Sequence, residues 1–149
     1  MMKIQSIKVK HNIEVAHRLS ETPGKCENIH GHSMWVDLEL EGEVDKSGLL
    51  EGIDFGDMKA AFRGYLDETY DHHLLLNKND EICQISPVSD YLTGLVEVPG
   101  DPTTENIARW VGEWGKKNFS YISLYRIKVE VWETHVNCAT WEEVLEYAP

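Results

Sequence analysis

The stretch HGHSMWVDLEL, at positions 30–40, alternates with a period of two, and this pattern decides the class of fold. After the two histidines, the even positions are apolar: Met34, Val36, Leu38 and Leu40. The odd positions 37, 39 and 41 are acidic. Successive side chains of a β-strand point to opposite faces, so the pattern predicts a strand with one buried face. His30 and His32 then lie at the start of the buried row.

A second alternating segment precedes this strand. From Ile7 to His17 the odd positions are apolar or histidine and the even positions are mostly polar. The residues between the two segments, SETPGKCEN at 20–28, are rich in turn formers and predict a loop. If the two strands pair as a hairpin across that loop, His17 comes close to His30 and His32.

The middle of the chain changes to a helical period. Phe55, Met58, Phe62 and Leu66 fall at helical spacing after a potential cap at Asp54. A second helix is predicted to follow Pro102, with Thr103 as its N-cap and Glu105 in its first turn. Between the helices, residues 78–101 predict a long irregular loop that could hold short strands. The last predicted strand, YRIKVEVWET at 125–134, places four residues on one face: Ile127, Val129, Val131 and Glu133.

The order strand, strand, helix, long loop, helix, strand predicts an α+β fold. Consecutive alternating strands favour an antiparallel sheet with both helices packed on one face. The chain of 149 residues suits one domain over residues 1–149, since no repeat or Pro/Gly/Ser linker divides it.

Charge and composition exclude several classes of function. The formal net charge is −12, which disfavours binding to nucleic acid or to an anionic membrane surface. The sequence shows no apolar run long enough for a bilayer and no hydrophobic signal core, so we expect a cytoplasmic protein without membrane partners. Three widely spaced cysteines argue against a disulfide framework and leave room for a reactive thiol or a metal ligand.

Three histidines at strand ends suggest a metal site. Neutral imidazoles from His17, His30 and His32 suit Zn²⁺ and would leave its fourth position open, as in catalytic sites. The alternative is that they are ordinary interior or edge histidines. Cys26, in the loop, could be a fourth ligand that closes a structural site, or a thiolate beside the metal. Spacing alone leaves that choice open.

Two further groups could carry chemistry. The carboxylate of Asp71 next to the imidazole of His72 could form a proton relay, although neighbours in sequence need not be in contact. Their alternative role is that of a polar helix end. Glu133 continues an apolar row, and a carboxylate there must be paired or must bind a ligand such as an amidine-like N–H pair. Otherwise the strand ends before Glu133 and its side chain is solvated.

An ordered set of motifs spans about Val15 to Trp141. The motifs are HRL, CENIHGH, IDFGDMKAAF, YDHHLLLN, DPTTENIARW and VWET. Together they resemble the 6-pyruvoyl-tetrahydropterin synthase family, and they are most similar to its bacterial 6-carboxy-5,6,7,8-tetrahydropterin synthase branch. The three-residue gap between Cys26 and His30 is like that of the carboxy branch.

The resemblance implies roles for matching positions. His17, His30 and His32 would bind zinc, and Cys26 would be the general base, with Asp71 and His72 completing the proton-transfer set. Glu133 would anchor a pterin by its guanidine-like edge, with Thr103 and Thr104 near that pocket. It also implies the tunnelling fold, with an antiparallel sheet and two helices on one face, and homohexamers with active sites between subunits.

The implied reaction is that of a zinc-dependent lyase in the queuosine precursor pathway. It converts 7,8-dihydroneopterin triphosphate to 6-carboxy-5,6,7,8-tetrahydropterin, acetaldehyde and triphosphate. The same family also contains enzymes that form 6-pyruvoyl-tetrahydropterin, or that cleave the side chain to a 6-hydroxymethyl pterin and tend to carry Glu near the cysteine position, as at Glu27. The non-enzyme alternative is a structural Cys-His₃ zinc module for assembly.

Two features depart from the carboxy branch. The 78–101 segment is longer than its compact loop. The negative net charge would also repel a triphosphate substrate. Lys25 and Arg18 are candidate local counter-charges for it.

Overall fold

A computed structural model describes residues 4–85 and 92–145 of the protein. Six strands form one sheet in the spatial order β4-β3-β1-β2-β5-β6. The strands are β1 (Ile4–His17), β2 (His30–Glu43), β3 (His73–Asn77), β4 (Leu95–Val98), β5 (Leu124–Trp132) and β6 (Cys138–Val144). Within the described ranges the α-helices are α1 (Phe55–Thr69) and α2 (Thr104–Asn118). Neither helix is long and apolar enough to cross a membrane.

The two long strands β1 and β2 form the predicted antiparallel hairpin. Their register runs from Ile4 opposite Glu43 to His17 opposite His30. The loop between them contains a short 3₁₀ turn at Lys25–Glu27. The hairpin therefore brings its two terminal histidines face to face across the strands.

Both helices begin where the capping residues predict. The side chain of Asp54 accepts a hydrogen bond from the Asp57 N–H, and that of Thr103 accepts one from the Asn106 N–H. Met58, Phe62 and Leu66 of α1 are buried, as are Ile107 and Val111 of α2. These side chains pack on the buried row of the hairpin and of β5. Each fully buried side chain of this size contributes about 1.5–3 kcal/mol through its removal from water.

Gly112 shows how closely α2 approaches β6. A Cβ atom at this position would lie 2.1 Å from the ring of Trp141. Only glycine allows this approach, and it fixes the height of α2 above the sheet. The start of α2 thereby comes to rest near the end of β5, where Glu133 follows.

The sequence predicted an antiparallel sheet, and the observed sheet is mostly antiparallel but contains two parallel pairs. β3 pairs in parallel with both β1 and β4, whereas β1, β2, β5 and β6 are antiparallel. The sequence HLLLN of β3 does not alternate, and its three consecutive leucines are typical of a strand that is covered on both faces. The predicted long loop holds β4 and a 3₁₀ turn at Glu81–Gln84, while residues 86–91 lie outside the described residues.

The face of the sheet opposite the helices is charged. Arg126 on β5 bonds Glu41 on β2 at 2.8 Å and Glu142 on β6 at 3.2 Å. Lys128 lies 2.8 Å from Glu130 on the same strand. Such ion pairs contribute about 0–1 kcal/mol each when they are exposed to solvent. The acidic odd positions of the opening stretch therefore lie on this face, as alternation predicts.

Candidate metal and pterin site

The imidazoles of His17, His30 and His32 converge where the helix-covered face of the hairpin ends. Their potential ligand atoms all lie within 4.8 Å of one another. The Nε2 atoms of His17 and His30 are 3.1 Å apart. The ring of His32 stands edge-on to the other two, with centroids 5.1 and 5.0 Å away. The strand register thus brings together the three histidines that the sequence singled out; we call them the histidine trio.

Backbone carbonyls fix the tautomers of two of these rings. His17 Nδ1 lies 2.7 Å from the Pro102 carbonyl oxygen, and His30 Nδ1 lies 2.7 Å from that of Asn28. A carbonyl oxygen only accepts, so each Nδ1 carries the proton and each Nε2 of a neutral ring carries a lone pair. Two lone pairs that face each other at 3.1 Å repel unless a cation lies between them. Two ligands of a tetrahedral zinc ion, each about 2.05 Å from the metal, are separated by about 3.3 Å, which fits.

The buried ring of His17 favours its neutral form, which is the form that binds a metal. His17 is 1% exposed, and burial together with the neighbouring His30 and His32 lowers its pKa despite the bond to Pro102 and the charge of Glu133. The Nε2 atom of His32 is buried and has no hydrogen-bond partner among the described residues. Neutral nitrogen donors that face a common point are the ligands Zn²⁺ prefers.

Glu133 lies beside the trio, immediately after β5. Its Oε1 atom is 3.5 Å from His32 Nε2 and 3.7 Å from His17 Nε2. The half-buried carboxylate also accepts a hydrogen bond of 3.0 Å from the Thr104 hydroxyl. The strand ends at Trp132, as the alternative for Glu133 held, but the partly exposed side chain of Glu133 still faces the trio.

The neighbouring threonines do different things. Thr104 contacts Glu133, whereas the Thr103 hydroxyl caps α2 by accepting from the Asn106 N–H at 3.1 Å. Only Thr104 therefore touches the group that we expect to bind ligand.

Cys26 lies in the 3₁₀ turn of the loop and is half-buried. The group of potential ligands that converge within 4.8 Å consists of the three histidines, without Cys26, in the part of the chain that the structure describes. A metal held by the three histidines would therefore keep a fourth position open. Arg18, one of the proposed counter-charges, is already bonded to Asp80 and to the Glu27 carbonyl.

Asp71 and His72 are in contact at the turn between α1 and β3. Asp71 Oδ2 lies 2.7 Å from His72 Nδ1, and Asp71 Oδ1 accepts a 2.7 Å bond from the Glu14 N–H. Burial raises the pKa of Asp71, but the bonds from Glu14 and His72 outweigh it and hold the pKa below its usual value. Adjacency in sequence did not establish whether the two side chains touch, and the structure shows that they do.

Two open cavities flank His32. One, of about 580 Å³, is shared by His32 with His72 and His73. The other, of about 700 Å³, is lined by His32, Trp35, Trp132 and Glu133. The two tryptophans pair across β2 and β5 on the face opposite the helices. Sequence reasoning missed this aromatic wall, although both residues occupy the outward phase of predicted strands.

Comparison with known proteins agrees with this geometry. Residues 6–144 match the family model described as 6-pyruvoyl tetrahydropterin synthase. The 6-carboxy-5,6,7,8-tetrahydropterin synthase of Haemophilus influenzae is 29% identical over 92% of this chain and 98% of its own. A structure of an uncharacterised protein from Wolinella succinogenes has a TM-score of 0.78 at 20% identity, covering 97% of this chain and 99% of its own.

The fold is also that of a solved pterin enzyme. The Plasmodium vivax 6-pyruvoyltetrahydropterin synthase, as a mutant in which a catalytic Glu is replaced by Cys, has a TM-score of 0.74 at 19% identity, over 96% of this chain and 99% of its own. The α+β tunnelling fold that the motifs implied is therefore confirmed. With the family model matched over nearly the whole chain, this protein belongs to the 6-pyruvoyl tetrahydropterin synthase family.

Proposed function

We propose that this protein is a zinc-dependent lyase that converts 7,8-dihydroneopterin triphosphate and one water molecule to 6-carboxy-5,6,7,8-tetrahydropterin, acetaldehyde and triphosphate. The product would serve the synthesis of queuosine and related 7-deazapurines. The name of the Haemophilus influenzae relative supports the carboxy product. The observation that carries the proposal is the pair of Nε2 atoms 3.1 Å apart, with the carboxylate of Glu133 beside them.

The histidine trio would hold the metal. Zinc at this site would supply a Lewis acid that polarises the oxygens of the substrate side chain. The carbonyl of Pro102 holds the ring of His17 by its Nδ1 proton, and that of Asn28 does the same for His30. Such bonds orient the ligating nitrogens and raise their basicity.

Proton transfer is assigned to two groups on separate turns. Cys26, as a thiolate, would take and return a proton at the substrate side chain. Asp71 accepts the Nδ1 proton of His72, so the Nε2 atom of His72 is free to accept another proton. The hydrogen movements are internal to the substrate, so the reaction needs no redox cofactor.

Glu133 would hold the pterin ring. A carboxylate can accept two parallel hydrogen bonds from a guanidine-like edge, and the Thr104 hydroxyl already orients one of its oxygens. Because Glu133 lies within 4 Å of two trio nitrogens, a ring bound there would present its side chain to the same point. Binding energy at the ring would thus position the reacting atoms.

We further propose a cytoplasmic homohexamer whose active sites lie between subunits. His72 is 78% exposed in the single chain, and a proton-transfer group needs shelter from bulk water to work efficiently. Light scattering coupled to size-exclusion chromatography measures the assembly. A monomer that turns over substrate would contradict this part of the proposal.

The decisive experiment combines turnover with metal content. The zinc-loaded protein is incubated with 7,8-dihydroneopterin triphosphate, and acetaldehyde and the carboxypterin are measured. We expect Cys26→Ala to keep zinc and lose turnover, while the matched variant Cys83→Ala keeps both, since Cys83 lies in the 3₁₀ turn at Glu81–Gln84 and does not line the cavities beside Glu133. Absence of turnover in the zinc-loaded wild type would overturn the proposal.

A second product remains a candidate because Glu27 follows Cys26 directly. In the Plasmodium vivax relative a glutamate is a catalytic residue. If Glu27 were the base here, the product would be a 6-pyruvoyl or 6-hydroxymethyl pterin, and Glu27→Ala rather than Cys26→Ala would abolish turnover. The mass of the product decides. Loss of zinc in Cys26→Ala would instead indicate the structural Cys-His₃ module.

A further inference from the structure

The loop that carries Cys26 comprises residues 18–29. It is held by Arg18 at its own start and by two buried acids outside it, Asp80 and Asp101. We propose that Arg18, Asp80 and Asp101 are positioning residues that fix this loop relative to the histidine trio. The inference rests on the proposed function, which gives Cys26 its role. Its test nevertheless includes measurements that do not require turnover.

Arg18 joins the loop to a buried acid. Its guanidinium bonds Asp80 through Nη1 and donates from Nε to the Glu27 carbonyl oxygen at 2.6 Å. Asp80 is 1% exposed, and its Oδ1 also accepts from the Ile82 N–H at 3.0 Å. A carboxylate buried to this degree needs a cationic partner, so Asp80 fixes the guanidinium of Arg18. The guanidinium in turn fixes the loop through the Glu27 carbonyl.

The backbone at Cys26 is thereby fixed on both sides. The carbonyl of Cys26 accepts a 2.8 Å hydrogen bond from the Leu19 N–H. The next carbonyl, that of Glu27, accepts from Arg18. Because both carbonyls are bound to residues at the start of the loop, the backbone that carries the thiol cannot shift without breaking one of these bonds.

Asp101 holds the same loop from a second direction. It is 6% exposed, and it accepts from the Ser20 hydroxyl at 2.9 Å and from the Glu21 N–H at 2.8 Å. A further bond of 3.1 Å comes from the Asn77 side chain. Burial raises the pKa of Asp101, but these bonds outweigh it and keep the carboxyl group ionised.

The position of Asp101 ties the loop to the proposed metal site. The next residue, Pro102, presents the carbonyl that orients His17. One two-residue segment therefore holds both a proposed ligand and the loop of the proposed base. Asn77 joins the two acids, because its side chain donates to Asp101 and its carbonyl accepts from the Asp80 N–H at 2.8 Å.

A positioning role and a purely structural role predict different effects. A displacement of about 1 Å at a catalytic group can cost about 10²-fold in rate without loss of the fold. A network that served only stability would lower the melting temperature and leave the rate of the folded enzyme unchanged. The discriminating variant must therefore keep the buried charge paired and release only the loop.

Arg18→Lys meets this requirement. A lysine ammonium can neutralise Asp80, but it lacks the fork that reaches the Glu27 carbonyl at the same time. Ser20→Ala is a milder second variant that removes one bond to Asp101. The matched control is Arg126→Lys, since Arg126 bridges two acids on the opposite face of the sheet.

Four quantities are measured on each zinc-loaded variant: hydrogen exchange of the loop peptide, alkylation of Cys26 by iodoacetamide, the dissociation constant of zinc, and kcat with KM. Losing one such hydrogen bond should speed exchange at Leu19 about tenfold. We expect kcat to fall about 10- to 100-fold in Arg18→Lys, with KM and zinc affinity changed less than about threefold. Alkylation of Cys26, but not of the exposed Cys138, should change in parallel.

The inference is overturned if exchange and alkylation in both loop variants match those of Arg126→Lys. It is also overturned if exchange rises equally in every peptide. Should Arg18→Lys fail to fold, Ser20→Ala alone decides by the same criteria with smaller changes. A wild type without turnover would overturn the proposed function, and exchange and alkylation would then decide the positioning role on their own.

Discussion

The histidine trio and the Asp71–His72 pair are built in opposite ways. The trio lies on two paired strands, and carbonyl oxygens fix two of its rings. Asp71 and His72 lie on a turn, where His72 adopts a positive φ of 58° and its ring is mostly exposed. The proposed ligands are thus held rigidly, and the proposed proton-transfer groups are held by a few bonds each.

This difference follows from what each group would have to do. Metal affinity requires several nitrogens at fixed separations, which a strand register provides. Proton transfer requires a group that approaches the substrate, and loops on a rigid scaffold provide such groups. The site thus combines a rigid half, the trio on its strands, with an adjustable half, the turn that carries Asp71 and His72.

The largest effect should come from the rigid half. His30→Ala removes one of three converging nitrogens and should weaken zinc binding by more than about 100-fold, since even loss of an orienting partner costs 10- to 100-fold. Titration calorimetry with zinc measures it. The control is His11→Ala, which removes a histidine of β1 whose Nε2 lies 2.6 Å from Asp67 Oδ1, away from the trio. Equal zinc affinity in both variants would contradict a metal site at the trio.

A substitution in the adjustable half should lower kcat without changing the zinc content. Asp71→Asn turns an NH₂ group toward His72 Nδ1 and favours the tautomer whose Nε2 already carries a proton. If the pair carries a proton, kcat should fall about 10²- to 10⁴-fold at unchanged zinc content. Asp67→Asn, in the other Asp–His contact, should leave kcat within about twofold, as expected of a surface pair. Unchanged kcat in Asp71→Asn would remove the pair from the mechanism.

Sequence patterns could predict the rigid half because it depends on local alternation. The odd positions ending at His17 and the even positions starting at His30 already place three imidazoles on one face. One assumption, a hairpin across the 18–29 loop, completes the site, and the register confirms it. Glu133 followed from the same alternation in β5.

Periodicity could not predict the contacts that hold the loops and turns or that orient the rings of the trio. Arg18 and Asp80 are 62 positions apart, and no periodic pattern links them. The carbonyls that orient His17 and His30 belong to the backbone and leave no signature in residue type. Contact between Asp71 and His72 depends on the turn geometry, which adjacency does not specify. Family resemblance supplied the roles of Asp71 and His72, whereas the Arg18–Asp80 contact and the two orienting carbonyls were found only in the structure.

A smaller effect should separate two neighbouring threonines. Thr103→Ala removes the cap of α2 and should cost about 1 kcal/mol of stability with little change in KM. Thr104→Val removes the bond to Glu133 and should raise KM about three- to tenfold, since a hydrogen bond to a charged group contributes about 1.5 kcal/mol or less when its partner stays solvated. Urea unfolding and steady-state kinetics measure the two effects. Identical profiles for both variants would contradict the division of roles.

The smallest expected effect is the pH dependence of stability at Asp71. Because its pKa in the folded protein lies below the usual value, the ionised carboxylate stabilises the fold above the unfolded pKa of about 3.8. That contribution is lost as the pH falls through the folded pKa. The metal-free wild type should therefore exceed Asp71→Asn in urea midpoint at pH 7, and the difference should narrow below about pH 4. A difference that stays constant or widens on acidification would mean that the charge of Asp71 does not stabilise the turn.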